Sequence, residues 1–442
     1  MTDLHVAIVG GGPVGCVAAL AFARRGRRVL VLEANPNACK RLAGEWLHPP
    51  AVRVLKDLGV ALPGGGRPWP TGEGFAVFPE DGTAPIVLPY VGGEAGLGLE
   101  HERLVKALRD AVAAHPEINF VPWARVTEVT DDRVAWRGRG GGAEQARVGR
   151  VIGADGRGSV VRASLDLPAD TFTPSRMAGV LLRRATLPHE GFGHVFLGGA
   201  GPILAYRIGE DDVRLCIDVP RGIFDRGDRT GLLRDRYTAA LPEGLRAAFH
   251  DALEANRVQW AANQVRPRLD YGTARRTLIG DAVGHYHPLT ALGMSLGFID
   301  AATLAEAPDF SAWRDARLRD ARVPELLAVG LYDVFAEHTD LAAAMRQAVY
   351  RTWRTDPAEC RRTMRYLACE DTRVGAFGWS FTSTLARAGV GVLWQTARRR
   401  GARPAARMTR DLGIRVSWII AGALRLGSPA NLPSTTAIGI RT

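Results

Sequence analysis

The stretch LHVAIVGGGPVGCVAALAFARRGRRVLVLE, residues 4–33, decides the fold. Residues 4–9 form a short apolar run, the pattern of a strand buried on both faces. Gly10, Gly12 and Gly15 follow in GxGxxG spacing, and Pro13 stands where a helix can begin. The spacing predicts a helix over about 13–25, with Val14, Val17, Ala18, Ala21 and Phe22 on one face, then a second strand over 28–32. In such a unit the first glycine permits a tight turn. The second lets the backbone approach a pyrophosphate, and the third lets helix and strand pack closely. Free N–H groups at the helix start then face the phosphates. Glu33 lies 18 residues beyond Gly15, where an acid accepts a ribose 2′-hydroxyl. GxGxxG alone is weak; strand, glycines, helix, strand and acid in this order mark a dinucleotide site. The acid disfavours a 2′-phosphate, so FAD or NAD fits better than NADP. Contacts are expected from Gly10, Gly12, Pro13, Val14, Gly15, Glu33 and Ala34.

Two later motifs bear on that choice. Residues 151–162, VIGADGRGSVVR, read as a strand, a turn and a helix, matching DGxxSxxR at Asp155, Gly156, Ser159 and Arg162. Residues 277–282, TLIGDA, are a second strand ending in Gly280-Asp281. Taken alone, either is an ordinary strand with a capped turn.

Together with the N-terminal unit, these motifs resemble the flavoprotein monooxygenases related to para-hydroxybenzoate hydroxylase. The resemblance implies that Asp281 binds the FAD ribityl chain and that Asp155 and Gly156 lie near the pyrophosphate. A carboxylate suits a polyol because it accepts strong hydrogen bonds from hydroxyls. FAD is then preferred over NAD. Further segments resemble squalene epoxidase in particular. They are RLAGEWLHPP (41–50), LEHERLVKALR (99–109), GHVFL (193–197), PILAY (202–206), VRLCIDVP (213–220) and HPLTALGM (287–294). The resemblance implies FAD contacts at Arg41 and Arg103. It also implies a flavin loop in which Pro288, Gly293 and Met294 approach the isoalloxazine and stabilise charge at its N1/O2 edge. Ala291-Leu292 departs from the Gly-Gly usual there, which leaves the flavin site intact but puts squalene itself in question.

The expected architecture is α/β: a Rossmann-type FAD-binding domain of glutathione-reductase type, an antiparallel β substrate domain and a C-terminal helical region. The FAD domain is discontinuous, over 1–68, 98–167 and 270–306. Residues 69–97 and 168–269 form the substrate domain, and 307–442 the helical region. Hydrophobic residues at 46% and charged residues at 23% of 442 suit a globular chain with a full core. Five scattered cysteines without CxxC spacing argue against a disulfide framework and against a metal site. No apolar run reaches spanning length, and residues 14–23 are not a signal peptide because their arginines follow them. A cytoplasmic location is expected.

Only three of the 57 cations are lysines, Lys40, Lys56 and Lys106, as a biased coding composition produces. Of the net charge of +11, +8 falls within 387–425, where nine arginines meet one acid, Asp411. Trp394 and Trp418 lie among those arginines with aliphatic residues, a pattern suited to helices lying in a membrane interface. Peripheral membrane contact is therefore expected, and nucleic acid is not, since no matching motif accompanies the charge.

The activity the resemblance implies is FAD-dependent monooxygenation. A flavin C4a-hydroperoxide passes oxygen to a carbon–carbon double bond of a large hydrophobic terpenoid or polyene, giving an epoxide or alcohol. O2 is the co-substrate, and NAD(P)H donates electrons transiently, directly or through a reductase. The alternatives are aromatic hydroxylation, an isoprenoid dehydrogenase or reductase, and a flavin-fold lipid carrier without catalysis.

Overall fold

The computed structural model describes residues 4–37, 42–61, 70–168, 171–225, 227–384, 410 and 413. The chain opens with β1 (Leu4–Val9), α1 (Pro13–Arg24) and β2 (Val29–Glu33). It continues through β3 (Trp46–Leu47), α2 (Pro49–Asp57), β4 (Thr71–Gly72), β5 (Gly74–Phe78), β6 (Ile86–Pro89) and β7 (Gly96–Gly98). Next come α3 (His101–Ala113), β8 (Ile118–Pro122), β9 (Arg125–Val129), β10 (Arg133–Arg137), β11 (Ala143–Gly153) and α4 (Val160–Ala163). The second half holds β12 (Phe172–Arg183), β13 (Phe192–Phe196), β14 (Ile203–Arg207), β15 (Asp212–Pro220), α5 (Arg221–Phe224), α6 (Arg229–Tyr237), α7 (Glu243–Glu254), β16 (Val258–Val265) and β17 (Arg276–Leu278). It closes with α8 (Leu292–Glu306), α9 (Phe310–Asp320), α10 (Arg322–Ala336), α11 (Asp340–Thr355) and α12 (Pro357–Leu367).

The first sheet runs β8-β2-β1-β11-β10-β9, with β17 also on β11. Its β8, β2, β1, β11 and β17 are parallel. The inner strands are apolar along their length because helices cover both faces; Ala7, Ile8, Val29, Val31, Val151 and Ile152 are fully buried. β11 changes partners half-way. Its first residues close an antiparallel hairpin with β10, whose tip is the Gly-rich 138–142, and its last residues pair with β1 and β17.

The second sheet runs β16-β12-β15-β14-β13-β5-β6 and is antiparallel except between β13 and β5. Along β15 six of nine residues are buried, on both faces, because both faces are covered. Tyr237, Leu245 and Phe249 of α6 and α7 pack on one face with Leu215 and Ile217. Leu326, Val334 and Tyr350 of α10 and α11 pack on the other with Leu204 and Tyr206. A small sheet, β3-β7-β4, lies between the large ones. The fold is thus the expected one, with the C-terminal helices laid over the substrate sheet; 385–442 lie outside the described residues save Arg410 and Gly413.

One buried ionic cluster joins these parts. Asp300 of α8 accepts from Arg268 through Oδ2, from Arg317 of α9 at 2.8 Å, and from the Gly280 backbone N–H at 2.9 Å. Arg268 also donates to the carbonyls of Gly280 and Gly284, at 2.9 and 3.2 Å. The Arg268 and Asp300 side chains are 1% and 0% exposed. Burial alone would raise Asp300, but the two guanidiniums outweigh it and hold the carboxyl below its ordinary range. Removing one member leaves buried charge unpaired, which typically costs about 3–5 kcal/mol. Asp300→Ala should lose about that much stability in urea denaturation of the apoprotein; a loss below ~1 kcal/mol would contradict the cluster's role.

Candidate active site

The β1–α1 turn is shaped by its glycines. A Cβ on Gly15 would stand 1.9 Å from the Gly10 carbonyl oxygen, so helix and strand touch only because it is absent. At Gly12 the opposite holds: nothing lies within 4 Å of an added Cβ. Gly12 has an extended backbone and caps α1 without a side-chain hydrogen bond. Its lack of a side chain serves no packing need of the protein and leaves the first amides of α1 open to an anion.

Glu33, at the end of β2, accepts from the Gly11 and Asn35 N–H groups, both at 2.7 Å. Arg109 of α3 lies 3.5 Å from it and donates to the carbonyls of Gly11 and Pro36. The two amide donors leave the carboxylate lone-pair sites for a hydroxyl, while Arg109 balances its charge. Ala34 follows at the exposed edge of the turn. Arg103 stands elsewhere on α3, 57% exposed and 3.8 Å from Glu100, so the α3 arginine that reaches the dinucleotide loop is Arg109. Arg41 lies outside the described residues.

The other two motifs converge on this turn. Asp155 caps the residues after β11, its Oδ2 accepting from Val160 N–H at 2.7 Å. Its Oδ1 is buried with no partner among the described residues, and burial raises its pKa. Gly156 beside it is left-handed, at φ +75°. The Gly280-Asp281 turn follows β17, and Gly280 packs on Val14 of α1. Asp281 pairs with Arg157 at 3.4 Å. A Cβ on Gly293, in the first turn of α8, would lie 3.8 Å from Asp281 Oδ1. The α8 N-terminus therefore stands beside that carboxylate. Ala291, which precedes the helix, takes a left-handed backbone (φ 52°, ψ 23°), the conformation a glycine adopts freely. Met294 turns away and packs against Gly44.

Pro288 stands earlier in this loop. Together with Leu289, Met177, Pro202, Leu204 and Cys216 it lines a cavity of about 10 Å³, close to the room one water needs. A polar group borders the cavity. Asp218 of β15 accepts from Ser175, from Asn263 at 3.0 Å and from His287 Nε2 at 2.8 Å. Tyr332 of α10 stacks on His287 at 3.8 Å. Asp218 and Ser175 address the same imidazole nitrogen, so this is not a nucleophile–base–acid triad, which needs one on each.

The FAD binding domain family model matches residues 3–307. The chain belongs to this FAD-binding family. It is an FAD-dependent monooxygenase, distantly related to the squalene epoxidases. It is 29% identical to squalene epoxidase erg1 of Aspergillus fumigatus, over 78% of each chain. It is 27% identical to squalene epoxidase 3 of Arabidopsis thaliana, over 84% of this chain and 71% of that one. Among solved structures, p-nitrophenol 4-monooxygenase of Pseudomonas putida superposes with a TM-score of 0.70 at 20% identity, covering 84% of this chain and 99% of that one. A flavoprotein/dehydrogenase of Cytophaga hutchinsonii also gives 0.70, at 15% identity over 88% and 98%. These structures share the fold.

The residues fit FAD. Gly12 is open where phosphate would lie, Asp155 Oδ1 is a buried acceptor without a partner among the described residues, and Asp281 stands beside a helix start. Gly12→Val separates the ligand's needs from the protein's. The apoprotein should keep its urea midpoint, while FAD affinity in a fluorescence titration falls at least tenfold. Unchanged affinity would place the pyrophosphate elsewhere.

Proposed function

We propose that the enzyme inserts one atom of O2 into a carbon–carbon double bond of a large hydrophobic substrate, terpenoid or polyene-like in class, by epoxidation or hydroxylation. The observation that carries this reading is the loop at 287–294: Gly293 near its end approaches Asp281, while Pro288 and Leu289 near its start line a largely apolar cavity. The curated relatives named as squalene epoxidases support the substrate class.

In this reading Gly10, Gly12, Pro13, Val14 and Gly15 receive the pyrophosphate, and Glu33 the adenosine ribose. Asp155, Gly156, Gly280 and Asp281 hold the linker between phosphate and ring. When bound, FAD supplies the redox-active ring that activates O2, with electrons from NAD(P)H directly or through a reductase. The chain's own part is to orient, to exclude water and to place amide dipoles. The first-turn N–H groups of α8, at Leu292, Gly293 and Met294, carry the positive end of the helix dipole toward Asp281. Leu289, Leu204 and Met177 keep the reacting double bond dry. A large substrate needs this cavity to widen, since it is small as it stands.

A second reading, hydroxylation of an aromatic ring, draws on the Asp218–His287 group, which could accept a phenolic hydroxyl. Incubating the holoenzyme with reductant, ¹⁸O2 and either squalene or a prenylated phenol decides between them by mass spectrometry. One labelled oxygen in the alkene-derived product is expected. Label on the ring instead would favour the second reading, and O2 consumed only to H2O2 with both would contradict the first.

The reading extends to a peripheral membrane contact through 387–425, a segment outside the described residues save Arg410 and Gly413. Its net +8 and two tryptophans support this, and Trp379 just before it is 74% exposed. Among the described residues no helix is long and apolar enough to cross a membrane. The full chain should sediment with vesicles containing phosphatidylserine and lose that partition when 387–442 are removed; equal partition of both forms would contradict the contact.

A further inference from the structure

His48 caps the start of α2, near the end of the 41–50 segment, and is fully buried. Its Nε2 lies 2.9 Å from the Thr290 carbonyl oxygen, and its Nδ1 lies 2.6 Å from the Tyr90 hydroxyl. A carbonyl only accepts, so Nε2 carries the proton and Nδ1 offers its lone pair. The Tyr90 O–H then donates to Nδ1, and the Tyr90 oxygen accepts Trp46 Nε1–H at 3.1 Å. Every hydrogen bond in this chain thus has one direction, ending on Thr290. The ring is neutral in this arrangement, and burial agrees, pushing its pKa down to about 4. The His48 backbone N–H makes a second link to the same region, donating to Ser295 Oγ at 3.2 Å.

Thr290 and Ser295 bracket the entry to α8. Between them Ala291 holds its left-handed backbone without being glycine. A strained residue of this kind persists only where its surroundings fix it. His48 grips the peptide before Ala291 through its ring and the first turn of α8 through its main chain. Aromatic contacts of Trp46 with Phe75 and Tyr206, at 5.3 and 5.8 Å between ring centroids, anchor the other end of the chain in the second sheet.

We propose that His48 is a positioning residue for the flavin: it fixes the Thr290–Ala291 peptide so that the first-turn amides of α8 stay aimed at the space beside Asp281. The claim rests on the reading that the isoalloxazine lies there. It assigns His48 no contact with FAD and no proton transfer. Its effect should be greater on reduced flavin, whose added negative charge gains most from a well-placed helix start.

The test compares His48→Leu, His48→Gln and Tyr90→Phe as full-length proteins. FAD affinity is measured by titrating apoprotein, the two-electron midpoint potential by dye equilibration, and apoprotein melting separately. His48→Leu should weaken FAD at least tenfold and lower the potential by about 30 mV, the two-electron equivalent of a further tenfold loss for reduced flavin. His48→Gln, which can still donate to Thr290, should stay within threefold of wild type. A purely structural role would lower the melting temperature without moving the potential. Wild-type affinity and potential in His48→Leu would overturn the proposal. If that variant does not fold, Tyr90→Phe decides: it keeps the His48 ring but removes the hydroxyl that holds its Nδ1 side in place. A smaller shift in the same direction supports the proposal, and wild-type values overturn it. Asp281→Ala, run alongside, separates the two claims. Unchanged FAD affinity there would remove the flavin-site reading itself. Loss of affinity there beside a wild-type His48→Leu would remove only the role of His48.

Discussion

The contact on which the rest of the structure depends is the Asp300 carboxylate held between Arg268 and Arg317. Two guanidiniums and one backbone amide converge on a group with no exposure to water. That carboxylate is the support of the Gly280-Asp281 turn, because its Oδ2 receives the Gly280 N–H while Arg268 takes the Gly280 carbonyl. Gly280 thus has both its polar backbone groups bound inside the protein. The Asp281 side chain is left partly exposed, paired with Arg157 and beside the start of α8. A buried ionic group is weak evidence of net stability; its value here lies in geometry, since α8, α9 and the loop after β16 must meet for it to form.

From that support two helix starts are presented to one cleft. α1 begins at Gly12 without a side-chain cap, and α8 begins at Ala291 likewise. Both leave first-turn amides free, as every helix does unless something caps them. In the function proposed above, the first receives the phosphates and the second a ring that gains negative charge on reduction. The 42–50 segment ties this cleft to the second sheet. Glu45 pairs with Arg214 of β15, both buried, and His48 bonds to Thr290. The oxygen-transfer chemistry of an FAD monooxygenase needs ring and substrate to share a dry wall, and in the function proposed above the loop at 287–294 supplies it.

The fold was legible in the sequence wherever the cause was local. The 4–33 unit announces itself because strand burial, a tight turn and a helix start each demand particular residues within a short span. The alternating segments of 168–269 likewise betray a sheet. The Arg268–Asp300–Arg317 cluster was not legible, because its members are brought together by tertiary packing of three elements. One signal was present: Asp300 is the single charge in the interior of the otherwise apolar LGMSLGFIDAATLAE helix, and such a charge must find a partner. Arg109 was hidden for a related reason. Arg103 and Arg109 share one helix, and only the position of α3 against β2 decides which reaches Glu33. The left-handed Ala291 was hinted at by the glycine that relatives are expected to carry there, but its hold on Thr290 through a histidine needed the structure.

The most direct measurement of the central claim is a crystal structure of the chain with FAD. The account predicts pyrophosphate density over Gly12, the ribityl chain on Asp281, and the isoalloxazine against the first turn of α8 with one edge toward the cavity lined by Pro288 and Leu289. A flavin whose ring lies away from α8, or points out of the cleft with Pro288 and Leu289 still closed from it, would contradict the account.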